Sequence, residues 1–255
     1  MEWDICIKHH GDRIAAMSGD SLHGRTLKDG YIRGCGLQFG NLVDLCTADP
    51  LFAHAYGLTR HRTAVTDNNL RNLFLLIKFH LPRLPRGHIA EFGSYHGGSA
   101  IFMAILAQEL CPGTKVYAFD SFAGMPETDA RRDAHKAGDF GEASEEEIRL
   151  FAEKSGVGNL ELVKGMFSES IPRALPSIGR LRLSHIDCDI YDGVVASYEG
   201  SRTKMVPGGY IVFDDPLVSS CLGAFEAIES LVIRRDSLHA EQVYPHLVYR
   251  TPAAP

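Results

Sequence analysis

The stretch that decides the fold is His88–Ser99, HIAEFGSYHGGS, which predicts a buried strand, a glycine turn and the start of a helix. Glu91 and Gly93 stand where the strand should end, and two further glycines precede the apolar run 100–107. Glycines at this point let the backbone approach a nucleotide-like ligand at the carboxyl end of a parallel sheet. The pattern is weak alone, because it is not a complete G-x-G-x-x-G motif.

A second acidic residue strengthens this interpretation. Asp120 ends the next apolar stretch, Lys115–Phe119, at the separation expected of a carboxylate that binds a ribose. A strand that ends in an acid and is followed by a helix therefore occurs twice in succession. The repeated arrangement predicts a site for a nucleoside-containing cofactor.

The bulk composition excludes several classes of protein. The chain has 255 residues, 45% of them hydrophobic, and a formal net charge of -6, which argues against a nucleic acid as the main partner. No apolar run approaches the roughly 18 residues of a membrane span, and the first residues lack the pattern of a secretory signal. Six scattered cysteines without a C-x-x-C pair indicate reduced thiols, so the cytoplasm is the expected location.

The chain divides into an irregular first part and a periodic second part. Residues 1–60 lack a clean period and are predicted to form an N-terminal cap, either a lid or an oligomer contact, with a loop or hairpin at 30–41. Residues 61–255 are predicted to form the main domain. Its first helix should begin near Asp67, with Thr66 or Asp67 as N-cap, and end at Pro82.

From residue 88 onward, predicted strands alternate with predicted helices. The strands are expected at 88–92, 115–119, 160–164, 181–187 and 209–213, with a final antiparallel pair near 241–250. The helices are expected near 98–110, 144–155, 168–174, 193–204 and 219–232. This alternation predicts an α/β fold with a mostly parallel sheet covered by helices on both faces. The polar stretch 127–142 interrupts it and is interpreted as an active-site lid, with a disordered insertion as the alternative.

Two later strand ends each carry a pair of aspartates. Asp187 and Asp189 follow one strand, and Asp214 and Asp215 follow the next, so the four side chains should converge at one edge of the sheet. Carboxylates this close repel and need protons, basic partners or a bound cation, and oxygen ligands suit Mg²⁺, Mn²⁺ or Ca²⁺. The alternative is that single aspartates cap the following helices. His185 is interpreted as a packed strand histidine rather than a ligand.

A series of motifs follows one order between residues 60 and 250. They are HRTAV at 61–65, NLRNL at 69–73, AEFGS at 90–94 with GGS at 97–99, FDSFAGMP at 119–126, VKGMF at 163–167, HIDCDIY at 185–191 and PGGYIVFDD at 207–215. Together they resemble the macrocin O-methyltransferases, a family that acts on sugars of macrolides and other natural products. FDSFAGMP and the pairing of HIDCDIY with PGGYIVFDD are the specific motifs.

The resemblance implies a class I S-adenosylmethionine methyltransferase fold, which is Rossmann-like with a seven-stranded sheet and a reversed last strand. It implies S-adenosyl-L-methionine and a divalent cation, Mg²⁺ or another such as Mn²⁺, as cofactors, and a homodimer or higher homo-oligomer. The implied cofactor-binding residues are Thr63, Ala64, Glu91, Gly93, Ser94, Ser99, Asp120, Ser121, Phe122, Gly165, Phe167 and Asp187. Of these, Thr63 and Ala64 would line the methionine end, and Asp120 and Ser121 would hold the ribose.

The resemblance assigns the metal to Asp189, Asp214 and Asp215, with Asp187 as a supporting or alternative ligand. Because no lysine follows the strand-end aspartates, Asp189 is also the expected general base. The expected reaction is O-methylation of a hydroxyl on a small molecule, a sugar or other polyol unit of a natural product. The chain departs from the family pattern at residues 216–224, which would face the acceptor.

Three other functions compete with this interpretation. An NAD-dependent dehydrogenase would need a longer glycine motif and has no use for paired acids on two later strands. A non-haem iron oxygenase could use His185 and Asp187 with His239 or His246, but such sites usually occur in all-β folds. A catalytically silent protein that binds the methyl donor is the third alternative.

Overall fold

The structure is a computed structural model that describes residues 42–253 and two short strands before them. Contacts divide the chain into two compact units, Met1–Ala53 and His54–Pro255. In the first unit, β1 and β2 pair as antiparallel strands, and two helices begin after them. The bounds are β1 Ser21–Leu22, β2 Arg25–Thr26, α1 Leu42–Thr47 and α2 Pro50–Thr59. The loop predicted at 30–41 lies outside the described residues, and the boundary at residue 60 stays a prediction.

The second unit contains a seven-stranded sheet in the order β5-β4-β3-β6-β7-β9-β8. Strands β3 to β7 are parallel, and β9 pairs antiparallel with both of its neighbours. The bounds are β3 His88–Phe92, β4 Val116–Asp120, β5 Leu160–Lys164, β6 Leu181–Ile186, β7 Met205–Phe213, β8 Ala240–Gln242 and β9 Leu247–Arg250. The predicted α/β fold with a reversed last strand is confirmed, and the strand order reverses between β3 and β6.

Helices connect the parallel strands, as predicted. They are α3 Asp67–Leu75, α4 Gly98–Leu110, α5 Glu145–Lys154, α6 Phe167–Ile178, α7 Tyr191–Arg202 and α8 Leu222–Ile228. Thr66 caps α3, because its side chain accepts a hydrogen bond from the backbone of Asn69. Wider π-helical turns extend α3 to His80 and α8 to Arg235. Within the described part of the chain, no helix combines the length and apolarity needed to cross a membrane.

The core lies on both faces of the sheet. Every residue of α4 from Gly98 to Ala107 is buried, which is why its sequence is apolar on all sides rather than along one stripe. All six residues of β6 are buried as well, as expected of a central strand in a parallel sheet. His185 belongs to this strand and is fully buried. A strand that places a histidine here must supply it with polar partners.

Strand β7 begins four residues earlier than predicted. The glycine pair at 208–209 favours a turn, but the structure includes it in the strand, with Gly208 at φ +75°. The register of β7 against β6 shifts between Leu181 and Leu183. This irregularity absorbs a glycine in the left-handed region without ending the strand.

Candidate active site

A cavity of about 570 Å³ opens at the carboxyl ends of the parallel strands. Ligands of open α/β sheets bind at this edge, beside the point where the strand order reverses. The predicted site residues on its wall are Thr63, Ala64, Gly93, Ser94, Ser99, Asp120, Ser121, Gly165, Phe167, Asp187, Asp189, Asp214 and Asp215. The glycine turn and both aspartate pairs therefore share one space.

The turn after β3 requires glycine at its first position. Gly93 has φ +88°, and a Cβ there would lie 1.7 Å from the carbonyl oxygen of Asp187. No side chain can be accommodated at that distance. The missing side chain brings the end of β3 against the end of β6, which leaves room for a ligand above both.

Asp120 ties this turn to the loop that follows β4. Its Oδ2 accepts hydrogen bonds from the backbone N–H groups of Ser94 and Tyr95 at 2.7 and 3.0 Å. Its Oδ1 accepts one from the backbone N–H of Phe122 at 2.8 Å. The carboxylate therefore fixes the shape of two cavity loops. A carboxylate has about four acceptor positions, so it can still accept a hydrogen bond from a ligand.

Two of the predicted cofactor residues do not reach the cavity. Glu91 is fully buried behind the wall, where its Oε1 lies 3.0 Å from Nδ1 of His185. Phe122 is 7% exposed and is absent from the cavity lining. Ser121 does line the cavity, but its hydroxyl donates a hydrogen bond to the carbonyl oxygen of Gly124 at 2.7 Å. The structure thus places Glu91 and Phe122 as supports of the wall.

Three carboxylates meet at the end of β6 and β7. Oxygens of Asp187, Asp214 and Asp215 lie within 4.8 Å of one another. Burial and the neighbouring carboxylates raise the pKa values of Asp187 and Asp215 well above the usual range of aspartate. Such a group is stable only with bound protons or with a cation between the oxygens.

Asp214 is the most strongly anchored member of this group. Its Oδ1 lies 2.9 Å from Nδ2 of Asn69, 2.7 Å from Nε2 of His246 and 3.4 Å from Nε2 of His185. Burial opposes ionisation, but the hydrogen bonds from the two histidines outweigh it and lower the pKa of Asp214. Because all these contacts use Oδ1, Oδ2 is the oxygen available to a cation.

His185 bridges Asp214 and Glu91 inside the sheet. Burial alone would favour the neutral ring, but the hydrogen bonds to both carboxylates prevail and raise its pKa to about 9. The imidazolium offsets part of the negative charge at the strand ends. His246, on the other side of Asp214, faces Nδ2 of Asn72 at 3.0 Å through its second ring nitrogen.

Asp189 lies beside the three carboxylates rather than among them. Its backbone has φ +59°, and its N–H donates to Oδ2 of Asp215 at 2.7 Å. Its side chain is 21% exposed, and its Oδ1 lies 3.4 Å from Sγ of Cys221 and 3.8 Å from Nε2 of His135. The structure therefore groups Asp187, not Asp189, with the aspartate pair that ends β7.

The polar stretch 127–142 is an ordered loop against the cavity. The pairing that closes the loop lies at its base, where the N–H of Met125, just before the stretch, donates to the carbonyl oxygen of Asp139 at 2.9 Å. Asp133 fixes its middle by accepting a hydrogen bond from the N–H of Tyr191 at the start of α7. His135, Asp139 and Phe140 line the cavity. The interpretation as a lid remains a prediction about its motion.

Several residues of the site had no assigned role before the structure. Asn69 lies in a quoted motif, but only its contact with Asp214 gives it a role. His135 and Cys221 carry no sequence signal, because nothing near them in the chain indicates that they meet Asp189. The sequence offers His246 a role only in the alternative iron site, as the possible third ligand with His185 and Asp187, whereas the structure pairs it with Asp214.

The donor set fits a hard divalent cation. The three grouped side chains offer only carboxylate oxygens, which are the ligands that Mg²⁺, Mn²⁺ and Ca²⁺ prefer. An open cavity beside them leaves room for further oxygen ligands.

Sequence comparisons relate the chain to known methyltransferases. The family model described as Macrocin-O-methyltransferase (TylF) matches residues 62–232. A curated relative from Streptomyces olivaceus, 8-demethyl-8-(2,3-dimethoxy-alpha-L-rhamnosyl)-tetracenomycin-C 4'-O-methyltransferase, is 29% identical over 172 residues. That match covers 64% of this chain and 65% of the relative, so it spans just under two thirds of the relative's length.

Solved structures with the same fold include three methyltransferases. The O-methyltransferase NovP has a TM-score of 0.62 at 20% identity, over 72% of this chain and 79% of its own. The calicheamicin methyltransferase CalS11 has a TM-score of 0.59 at 16% identity, over 95% and 91%. An O-methyltransferase from Bacillus cereus, solved as a complex with SAH, has a TM-score of 0.55 at 17% identity, over 79% and 90%. These structural likenesses concern the fold alone. The family model covers more than half of the sequence. The chain therefore belongs to the macrocin O-methyltransferase (TylF) family, as its motifs indicate.

Proposed function

We propose that this protein transfers a methyl group from S-adenosylmethionine to a hydroxyl group of a small molecule, a sugar or other polyol unit of a natural product. The observation that carries the proposal is the meeting of Asp187, Asp214 and Asp215 at the cavity into which the glycine turn opens. Family membership supports methyl transfer, and the curated relative's name specifies an O-methylated rhamnosyl group.

The donor would lie along the glycine turn between β3 and α4. Thr63 and Ala64 would face its methionine end, Gly93 and Ser94 would lie beneath it, and Asp120 would accept hydrogen bonds from the ribose. The left-handed backbone at the turn allows this close approach. Among the residues that the structure describes, the cavity lining includes no lysine or arginine, which suits a positively charged sulfonium.

The cation would be held by Asp187, Asp214 and Asp215, which replaces Asp189 by Asp187 in the set implied by the family resemblance. When bound, Mg²⁺ or Mn²⁺ would coordinate two neighbouring oxygens of the acceptor and lower the pKa of the hydroxyl that reacts. Because the hydrogen bonds that anchor Asp214 all end on one oxygen, its second oxygen would be the one to bind the cation.

Asp189 would accept the proton. In the reaction, the acceptor oxygen attacks the methyl carbon, the carbon–sulfur bond breaks, and the hydroxyl proton moves to a base. Asp189 faces the cavity next to the grouped carboxylates, and its backbone is held in a left-handed conformation by Asp215. Its position outside the group of three keeps it out of the proposed Mg²⁺ ligand set.

The decisive experiment compares binding of the donor with turnover. Asp189→Asn should lower turnover by about 10²–10⁴-fold, while calorimetry shows nearly unchanged affinity for S-adenosylhomocysteine. Glu146→Gln, an exposed acid on α5, serves as the control and should retain turnover. Full activity of Asp189→Asn would remove this residue as the base. Acceptors bearing rhamnose or related sugars are the first to assay.

Removal of metal and a competing cofactor test the remaining parts. Treatment with EDTA should abolish turnover, and added Mg²⁺ or Mn²⁺ should restore it; unchanged turnover would contradict the cation site. Calorimetry with NAD should show no binding, and binding of NAD in place of S-adenosylhomocysteine would favour a dehydrogenase. Donor binding without turnover of any acceptor would favour the catalytically silent alternative.

A further inference from the structure

A second group of metal-binding side chains lies beside the carboxylates, and its donors are chemically different. His135 comes from the loop 127–142, Asp189 from the end of β6 and Cys221 from the start of α8. Sγ of Cys221 lies 3.4 Å from Oδ1 of Asp189 and 3.9 Å from Nε2 of His135, and the latter two atoms are 3.8 Å apart.

These separations match the edges of a zinc site. Zinc bonds of about 2.0–2.3 Å at tetrahedral angles place neighbouring ligand atoms about 3.4–3.6 Å apart. The three atoms therefore need to move by only a few tenths of an ångström. One nitrogen, one sulfur and one oxygen form the mixed set that Zn²⁺ accepts and Mg²⁺ does not.

The surroundings have two further features of a zinc site. Oδ2 of Asp139 lies 3.4 Å from Nδ1 of His135, so a carboxylate orients the ring from its far side, as it does for many histidines that bind zinc. His135 and Asp189 both line the cavity, whereas Cys221 is 1% exposed behind them. The fourth position would therefore face the cavity, where water or an acceptor oxygen could occupy it.

We propose that His135, Asp189 and Cys221 form a binding site for Zn²⁺ or a similar borderline divalent ion, separate from the carboxylate group. On binding, the sulfur–metal bond replaces the thiol proton of Cys221, which is released to solvent. The bound ion would occupy Asp189 and join the loop 127–142 to α8. It would therefore inhibit methyl transfer, a consequence that rests on the proposed function, whereas binding itself does not.

Cobalt spectroscopy tests the site without any assay of turnover. Co²⁺ is added to the full chain in excess Mg²⁺, so that the carboxylate group is filled first. We expect one equivalent to produce thiolate-to-cobalt charge-transfer absorption with the visible bands of tetrahedral Co²⁺, and Zn²⁺ to abolish both. Cys221→Ser and His135→Ala should each lose the charge-transfer band. Thermal unfolding of both variants serves to check that they remain folded.

Cys188→Ser is the matched control. Cys188 is buried, as Cys221 is, but it lies at the end of β6, and its Sγ contacts the hydroxyl of Ser197 instead of the carboxylate of Asp189. It should keep the band. Absence of the band from the unsubstituted protein, or its survival in both Cys221→Ser and His135→Ala, would overturn the site.

Inhibition forms the second arm of the test. In the presence of Mg²⁺, micromolar Zn²⁺ should inhibit methyl transfer reversibly, and Cys221→Ser should need at least about 10-fold more Zn²⁺ for the same fractional loss. Each variant is compared with its own turnover without zinc. A cobalt band without inhibition would confirm the site and overturn its effect on turnover. If no acceptor is methylated at all, the proposed function fails while the spectrum still decides the site.

Discussion

Asp214 receives its hydrogen bonds on a single oxygen, and this arrangement fixes the orientation of a carboxylate that we propose as a cation ligand. Asn69 supplies one of the bonds from α3, at 2.9 Å. Groups that hydrogen-bond to a metal ligand and orient it typically contribute 10–100-fold to metal affinity. We therefore expect Asn69→Ala to weaken Mn²⁺ binding by about 10-fold, measured by calorimetry or by electron paramagnetic resonance of free Mn²⁺.

Asn68→Ala is the neighbouring control, because Asn68 points to the hydroxyl of Tyr244 rather than to Asp214. It should leave Mn²⁺ affinity unchanged. Equal affinities for Asn69→Ala and the unsubstituted protein would show that His246 and His185 orient Asp214 without the amide.

Gly93 allows a second prediction at this scale. Gly93→Ala forces a Cβ to within 1.7 Å of the carbonyl oxygen of Asp187 in addition to the strain of φ +88°. We expect it to lower the free energy of unfolding by about 3 kcal/mol and to weaken binding of S-adenosylhomocysteine. Gly113→Ala isolates the strain, because Gly113 has φ +83° with no atom within 4 Å of the added Cβ.

Gly113→Ala should cost only about 1 kcal/mol in urea unfolding and leave ligand binding intact. Similar losses for both variants would mean that the end of β6 moves to accommodate the methyl group, and that the turn is less constrained than its geometry indicates.

The residues of the site divide into those that sequence could predict and those that it could not. Asp187, Asp189, Asp214 and Asp215 follow apolar runs, so their convergence follows from the rule that parallel strands end at one edge. Their proposed division into metal ligands and base does not follow from the sequence, because one residue separates Asp187 from Asp189 and the left-handed backbone at 189 is visible only in the structure. Contacts over long sequence separations, such as that of His246 with Asp214, leave no local pattern.

At the scale of elements, the side chain of Asp133 in the loop 127–142 caps the N-terminus of α7 and so joins the loop to this helix. Oδ1 of Asp133 accepts the N–H of Tyr191 at 2.9 Å, and it lies so close to Gly223 that a Cβ there would be 1.9 Å away. Asp133→Ala should therefore cost about 1 kcal/mol and release the loop. Hydrogen exchange should show faster exchange of amides in 134–142, and trypsin should cleave sooner after Arg132.

Asp129→Ala is the control within the same loop. Asp129 contacts Arg131 at the surface rather than a helix of the domain, so its removal should leave exchange in 134–142 nearly unchanged. Equal exchange in Asp133→Ala and the unsubstituted protein would mean that the pairing of Met125 with Gly138 and Asp139 alone orders the loop.

Element positions were more predictable than element ends. Strands β3 and β5 have the predicted bounds, because apolar runs between turn residues define them. Helix α6 extends to Ile178 although Pro172 and Pro176 favour an earlier end. Its buried residues Ile171, Leu175 and Ile178 pack in the core, so tertiary contacts outweigh the lost backbone hydrogen bonds. Packing of this kind is not visible in local sequence.

At the scale of the whole molecule, a charged cluster joins α7 to the segment that follows α8. Oδ2 of Asp236 accepts a hydrogen bond from the hydroxyl of Tyr198 at 2.7 Å, and Arg235 donates to both of its oxygens. Arg235 also pairs with Glu199. The cluster lies at the opposite end of β7 from the candidate active site, so it can be altered without touching the cavity.

The cluster makes overall stability depend on acid in a defined range. Hydrogen bonds from Arg235 lower the pKa of Asp236 to about 2, from 3.8 in an unfolded chain. A depressed pKa stabilises the folded state above about pH 4, and this contribution disappears as the pH falls toward 2. Because the side chain is 20% exposed, we expect this contribution to the free energy of unfolding to be about 1 kcal/mol rather than the full value of the shift.

Asp236→Asn keeps an acceptor for Tyr198 but loses the charge. Urea unfolding should therefore show this variant to be about 1 kcal/mol less stable than the unsubstituted protein at pH 7 and equally stable near pH 2. A difference that stays constant across this range would mean that the amide disturbs packing, and that the charge of Asp236 contributes nothing to the joining of α7 to the segment that follows α8.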